Sequence, residues 1–246
     1  MQFEKPPKLT ALWMGLLFGV TSLIALLAPS DLSRTLFENI AFTPTGVTEH
    51  FRLWTLITFP VADHEAISGR EWFGLLFHLL FIYWFAAPLE HRWGPRRFVV
   101  FLLLTSTAAS LALLAFSGIS SMFSGVFPGP GSVVTAFIFA WAFTFRDRTM
   151  NFLIIGQIRG LQMAWLGVFY ILMDAIFKGP AIIVPRTAAA LMAIVIVMGL
   201  WRKNALKLGW DWVLVKLRVR KPPKLTLVPP PRSPGSPKKP HKFDIN

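Results

Sequence analysis

Gly129-Pro130-Gly131-Ser132, running into Val133–Phe145, is the stretch on which the reading of this chain turns. Val133–Phe145 is apolar except for two threonines and is stopped by Arg146-Asp147-Arg148. A helix through this run from Ser132 rises roughly 21 Å, less than the ~30 Å hydrocarbon core of a bilayer. Its glycine-rich entry must then lie at membrane depth. Irregular backbone is tolerated there only where other helices shield it or where it lines a wet cavity. The run therefore predicts a short, enclosed central helix with a recessed start.

The composition fits that reading. Hydrophobic residues make up 54% of the 246 and charged ones 15%, which pulls against a soluble globular domain. The chain has no cysteine, so disulfides, thiolate metal sites and cysteine catalysis are excluded.

Five more apolar runs flank the central one. Residues 1–10 are polar and basic, and Ala11–Ala28 is the first span; Pro29 follows it without an A-x-A site, so it is read as uncleaved. Residues 29–71 form a long polar and aromatic loop with three basic and six acidic side chains. Trp72–Leu89 is the second span, Glu90–Arg97 a basic turn, and Phe98–Phe116 the third span. Ser117–Gly131 carries no charge and is expected to dip into the interface. Leu161–Phe177 is the fifth span, the sixth lies within Gly179–Trp201, and residues 202–246 are a tail. The expected fold is an all-α, polytopic six-helix bundle over 11–201.

Charge predicts the orientation. With both ends on one side, that side collects 20 of the 25 basic residues, and 8 against 5 without the tail. This is the positive-inside pattern, and it places both termini in the cytoplasm. The net charge of +13 comes mostly from the tail, which has 12 basic and 2 acidic residues, so a nucleic-acid partner is not expected. Leu206, Trp210, Val213 and Leu217 recur at helical spacing, as in an amphipathic helix lying on anionic lipid. Pro231, Pro234, Pro237 and Pro240 recur every third residue, the period of polyproline II. Lys5-Pro6-Pro7-Lys8-Leu9-Thr10 is repeated as Lys221–Thr226.

The short helix with its Gly-Ser entry resembles the fourth span of the rhomboid intramembrane serine proteases, whose G-x-S-G carries the nucleophile. Here G-P-G-S puts Gly131 in the nucleophile's place and Ser132 in that of the following glycine. Phe51-Arg52-Leu53-Trp54-Thr55 is similar to the family's W-R-x-x-T, and Glu90 with Gly94 fits its E-x-x-x-G. Ala189-x-x-x-Ala193 resembles the small-residue face that brings the last helix close to the fourth. His78 falls where the family has asparagine, Gly74 where it has the oxyanion histidine, and Arg186 where it has the general base. The resemblance covers about Phe51–Trp201 and extends to the derlin-like, non-proteolytic branches. It implies a rhomboid-like bundle with a degenerate site at Gly74, His78, Gly131, Ser132 and Arg186. It also implies partners among the transmembrane helices of client proteins, or a locally perturbed bilayer. No cofactor is implied, and a bacterial cytoplasmic membrane is the expected location.

The chemistry can be weighed without the family. Peptide hydrolysis needs a nucleophile, a base within hydrogen-bond reach and donors for the oxyanion. Gly131 has no nucleophile, and Arg186 stays protonated and cannot accept a proton. The alternative is a protease using Ser132 with His78, although Ser132 points about 100° around the helix from position 131. A small-molecule transporter is a third class, but no internal repeat of spans supports it. His78 also reads as a buried imidazole bonded to a neighbouring helix. Asp174 and Arg186 are read as an intramembrane ion pair joining spans five and six, with a hydrated pocket for a client's polar group as the competing reading. Glu49-His50 and Asp63-His64-Glu65 have metal-ligand letters without metal-ligand spacing, so they are read as a solvated loop and no metal is expected.

Overall fold

The structure, a computed structural model, describes residues 6–27, 30–61, 63, 72–127, 129–152 and 156–200. The tail calls therefore lie outside the described residues, namely the amphipathic run, the proline repeat and the second Lys-Pro-Pro-Lys-Leu-Thr copy. Among the described residues, five helices are long and apolar enough to cross a membrane: α1 Lys8–Leu26, α5 Phe73–Trp93, α6 Pro95–Ser117, α8 Gly160–Lys178 and α9 Pro180–Gly199. The short apolar α7, Gly131–Thr144, runs among them. The protein is an all-α polytopic membrane protein, with one antiparallel hairpin added. Its strands β1 Thr149–Phe152 and β2 Gly156–Arg159 stand in what reads from sequence as plain loop.

α7 is the core of the molecule. Every residue from Gly131 to Ala142 is buried. A helix that is apolar all round and enclosed all round has no lipid face, which is why it needs no amphipathic stripe. Phe98 and Phe101 of α6 stack on its Phe137, and Trp13 of α1 meets the same ring edge-on. α9 packs along both α7 and α6, and Ala189 and Ala193 are fully buried there. Small side chains at that spacing let two backbones come close. α7 ends at Thr144, and the ring of its C-cap residue Phe145 has the guanidinium carbons of Arg92 and Arg148 at 5.2 Å and 5.0 Å from its centre. Cations near a helix C-terminus also complement its dipole.

The boundaries of the first two spans differ from the sequence reading, for identifiable reasons. α1 starts at Lys8 rather than Ala11, and Thr10 is fully buried. The cause is Glu90, a motif residue by sequence. Its carboxylate accepts from Leu9 N at 3.1 Å, Thr10 N at 2.7 Å and Thr10 Oγ1 at 2.7 Å. It thus caps a helix whose own N-cap, Pro7, offers no side chain. α5 continues past Pro88 to Trp93 instead of ending at Leu89, because a π-helical turn at Ile82–Ala86 precedes the proline. Such a turn absorbs the missing N–H and the ring clash that would otherwise break the helix. Gly94 then takes φ +79°, a conformation that favours glycine, and Pro95 opens α6.

Because Glu90 holds three donors at once inside the bundle, Glu90→Ala leaves the start of α1 uncapped and buried. The expected loss is about 1–3 kcal/mol, read by chemical unfolding in detergent. A double-mutant cycle with Thr10→Val should show coupling between the two positions. Additive effects would sink this assignment.

The 29–71 region is not the open loop its polarity suggested. It contains α2 Asp31–Ile40, α3 Pro44–Thr48 and α4 Thr55–Thr58, followed by a 3₁₀ turn at Phe59–Val61. Ser30 and Thr43 cap the first two through Ser33 N and Gly46 N. Arg52 donates to the Glu38 carbonyl at 2.8 Å and Trp54 Nε1 to the Asn39 carbonyl at 2.8 Å, so the F-R-L-W-T run closes the end of α2. Ser110 of α6 donates to the Leu56 carbonyl at 2.8 Å and fastens α4 to the bundle. Phe127 N donates to the Phe42 carbonyl at 3.3 Å, which anchors the segment entering α7.

Candidate functional site

At the recessed start of α7, position 131 stands against the end of the Arg186 side chain. A Cβ placed there would run into Arg186 Nη2 and would stand 3.0 Å from Arg186 Cζ. The guanidinium of α9 therefore fills the space that a side chain at the nucleophile's position would need. Ser132, one residue on, is buried.

Arg186 is only 2% exposed. Its Nη2 pairs with Asp174 Oδ2 of α8, and its Cζ lies 4.4 Å from the centre of the Tyr170 ring. Lys178 Nζ is 3.7 Å from the same Asp174 oxygen, one helical turn further along α8. Arg186 Nε and Nη1 are buried without a hydrogen-bond partner.

His78 of α5 has both ring nitrogens engaged. Nδ1 is 2.7 Å from Asp63 Oδ2, and Nε2 is 3.0 Å from the Tyr170 hydroxyl. An ionised carboxylate only accepts, so Nδ1 carries a proton; a neutral ring then leaves Nε2 to accept from Tyr170. His78 consequently has no nitrogen left over for a serine hydroxyl. Asp63 is itself buried, and Thr21 of α1 accepts from its backbone N at 3.1 Å. This corrects the solvated-loop reading of Asp63-His64-Glu65 at its first residue; His64 and Glu65 lie outside the described residues. Among the described residues no three side chains are grouped as metal ligands.

A 210 Å³ cavity opens between α5 and α8. One helical face of α5 lines it with Gly74, Phe77, His78 and Phe81, and one face of α8 with Tyr170, Asp174, Phe177 and Lys178. The structure thus brings Gly74, His78, Asp174 and Arg186 to one neighbourhood, with Gly131 against Arg186. The motif residues Arg52, Glu90 and Gly94 are elsewhere and hold the fold. Sequence reasoning missed Asp63 and Tyr170 as members of this network. Tyr170 had a readable signal: Tyr170, Asp174 and Lys178 recur every fourth residue on a stretch, Met163–Lys178, whose other side chains are all apolar. Asp63 had none, since its partner is fifteen residues away on another element.

No curated protein matches the chain. Residues 11–201 match the family described as "Eukaryotic integral membrane protein (DUF1751)". A eukaryotic family argues against the bacterial cytoplasmic membrane expected from sequence, and that expectation is withdrawn. With more than half of its length matched, and with five apolar helices of membrane-spanning length around a buried sixth, the chain belongs to this family of eukaryotic integral membrane proteins.

Proposed function

We propose that this protein is a rhomboid-like membrane protein without protease chemistry, which binds the transmembrane helices of client proteins. One observation carries the proposal: the Arg186 guanidinium stands against Gly131, where a rhomboid-type nucleophile would need room. An arginine there neither attacks a carbonyl nor takes a proton. The engagement of both His78 nitrogens by Asp63 and Tyr170 argues in the same direction. The short α7 would thin the bilayer around it, a setting that favours helices carrying polar groups.

The test pairs two measurements on the purified protein in membranes. A serine-reactive phosphonate is expected to leave Ser132 unlabelled, and photocrosslinkers placed on α5 and α8 are expected to capture single-span proteins. Phosphonate labelling that disappears in Ser132→Ala would establish the protease reading instead.

The proposed orientation puts both termini in the cytoplasm, with the basic tail on anionic lipid. Reporters fused at residues 8 and 240 should then both read cytoplasmic, and one near Asp63 should read on the opposite side. An opposite-side reading at 240 would remove one span from the count.

A further inference from the structure

At the other end of α5 and α8 from that cavity, two turns of the chain meet on one aromatic ring. Arg92, in the last turn of α5, and Arg148, in the loop after α7, both hold their guanidinium carbons over Phe145. Phe145 is buried, and the loop around it is pinned. Arg148 N donates to the Phe145 carbonyl at 3.1 Å, and Gly160 N donates to the Arg148 carbonyl at 2.8 Å. Gly160 opens α8, and a Cβ there would run into the Phe145 carbonyl oxygen, so the start of α8 packs against the same loop. Both arginines are exposed, yet each is held in place by a fixed ring.

The chain does not neutralise this end of the bundle. Arg96 stands in the first turn of α6, Arg146 lies over Phe143, and Arg159 ends the hairpin; all three are exposed. Two carboxylates are close to them in the chain. Glu90 is engaged by three donors of α1, and Asp147 forms no ion pair among the described residues. Among the described residues, Arg92, Arg96, Arg146, Arg148 and Arg159 have no carboxylate partner either. Residues 202–246, with 12 basic and 2 acidic side chains, add to the excess. Helix dipoles explain only part of the pattern: Arg92 and Arg148 stand at helix C-termini, but Arg96 sits at a helix start, where a cation is disfavoured. A guanidinium held over a ring by cation–π attraction still has its five N–H donors to offer.

Apolar surface begins within a turn of these cations. Val99 and Val100 on α6 and Leu161 on α8 are exposed, and Trp165, roughly 8 Å into α8, is 75% exposed. On a membrane-spanning helix such surface faces lipid, and tryptophan collects at the level of the headgroups. The guanidiniums therefore lie level with lipid phosphates. We infer that Arg92 and Arg148, set on Phe145, bind the phosphate of an anionic phospholipid. Its oxygens accept from the two guanidiniums, whose planar forks match phosphate geometry. Arg96, Arg146 and Arg159 add positive field around the pair, and the acyl chains run along the exposed start of α8. A zwitterionic lipid gains less, because its ammonium group has to lie among these cations. The site depends neither on client binding nor on which leaflet this end of the bundle occupies.

The test uses the full-length protein in phosphatidylcholine nanodiscs doped with a diazirine-bearing phosphatidic acid. Labelling is expected on peptides covering residues 92–100, 143–148 and 160–165, about tenfold above that by a diazirine phosphatidylcholine; labels on 202–246 are mapped separately. Arg92→Gln with Arg148→Gln should reduce it by about tenfold, the value of one hydrogen bond to a charged group. Arg92→Lys with Arg148→Lys, which keeps the charges but not the planar forks, should reduce it less. Arg146→Gln with Arg159→Gln should leave most of it in place. All four positions are exposed, so unfolding midpoints should stay close to the parent's. Equal labelling by the two lipids, or no change in the Arg92 and Arg148 glutamine pair, would overturn the proposal. An equal loss in the Arg146 and Arg159 pair would mean a diffuse field and sink the site. Displacement by millimolar inorganic phosphate, or by polyglutamate, would assign the surface to a soluble anion or an acidic protein segment instead of lipid.

Discussion

Gly131→Ser is expected to yield a protein that remains proteolytically silent and is less stable than the parent. The added Cβ collides with Arg186 Nη2, so the guanidinium has to shift and its pairing with Asp174 is loosened. Overpacking of this kind typically costs about 1–3 kcal/mol, and loosening the ion pair adds to it. The new hydroxyl would gain no base, because the neighbouring side chain is a protonated guanidinium and both nitrogens of His78 are engaged. Gly131→Ala should show nearly the same destabilisation without any hydroxyl, which isolates the steric part. Combining Gly131→Ser with Arg186→His removes the collision and supplies an imidazole, but it also takes the guanidinium from Asp174, so this double variant is expected to gain the minimum chemistry without recovering stability. The readouts are unfolding in mixed detergent and cleavage of a transmembrane reporter. Cleavage by Gly131→Ser alone would refute the reading of the site, and full stability in Gly131→Ala would refute the steric account of the glycine.

Removing Asp174 should have an effect at least as large. Asp174→Leu leaves Arg186, 98% buried by its 2% exposure, with no carboxylate beside it. Breaking a buried pair from one side costs about 3–5 kcal/mol, because the remaining charge is still desolvated. Replacing both members, Asp174→Leu with Arg186→Leu, should recover most of that loss, since no charge then remains buried. Lys178→Gln should cost less than Asp174→Leu, because Asp174 then keeps Arg186 as its partner. Unfolding followed by tryptophan fluorescence separates the three cases. A double variant no more stable than Asp174→Leu would mean that Arg186 serves as more than the counter-ion of Asp174.

These expectations rest on contacts that differ in how far the chain announces them. The length of Val133–Phe145, the five longer apolar runs and the abrupt stop at Arg146 are local properties. They are readable because lipid removes every alternative for backbone hydrogen bonds except helix. Glu90, Gly94 and Arg52 were visible as motif letters, but not as what they do: Glu90 caps α1, Gly94 turns the chain at φ +79°, and Arg52 closes α2. The ends of the spans were misplaced where a distant residue intervened. Glu90 lies some eighty residues from the helix start it satisfies, and Pro88 reads as a stop unless the π turn before it is known.

The sequence by itself determined that the chain is a membrane bundle with a short central helix, and that position 131 has no nucleophile. Apolar run length and side-chain identity are enough for both conclusions. Only the tertiary structure decided that Arg186 stands against Gly131, that Asp63 holds His78, and that Tyr170 links His78 to Arg186. Each of those facts depends on how closely α9 approaches α7 and on where residue 63 crosses the bundle. Such distances come from packing between helices, and a pattern of period 3.6 along one helix carries no information about them.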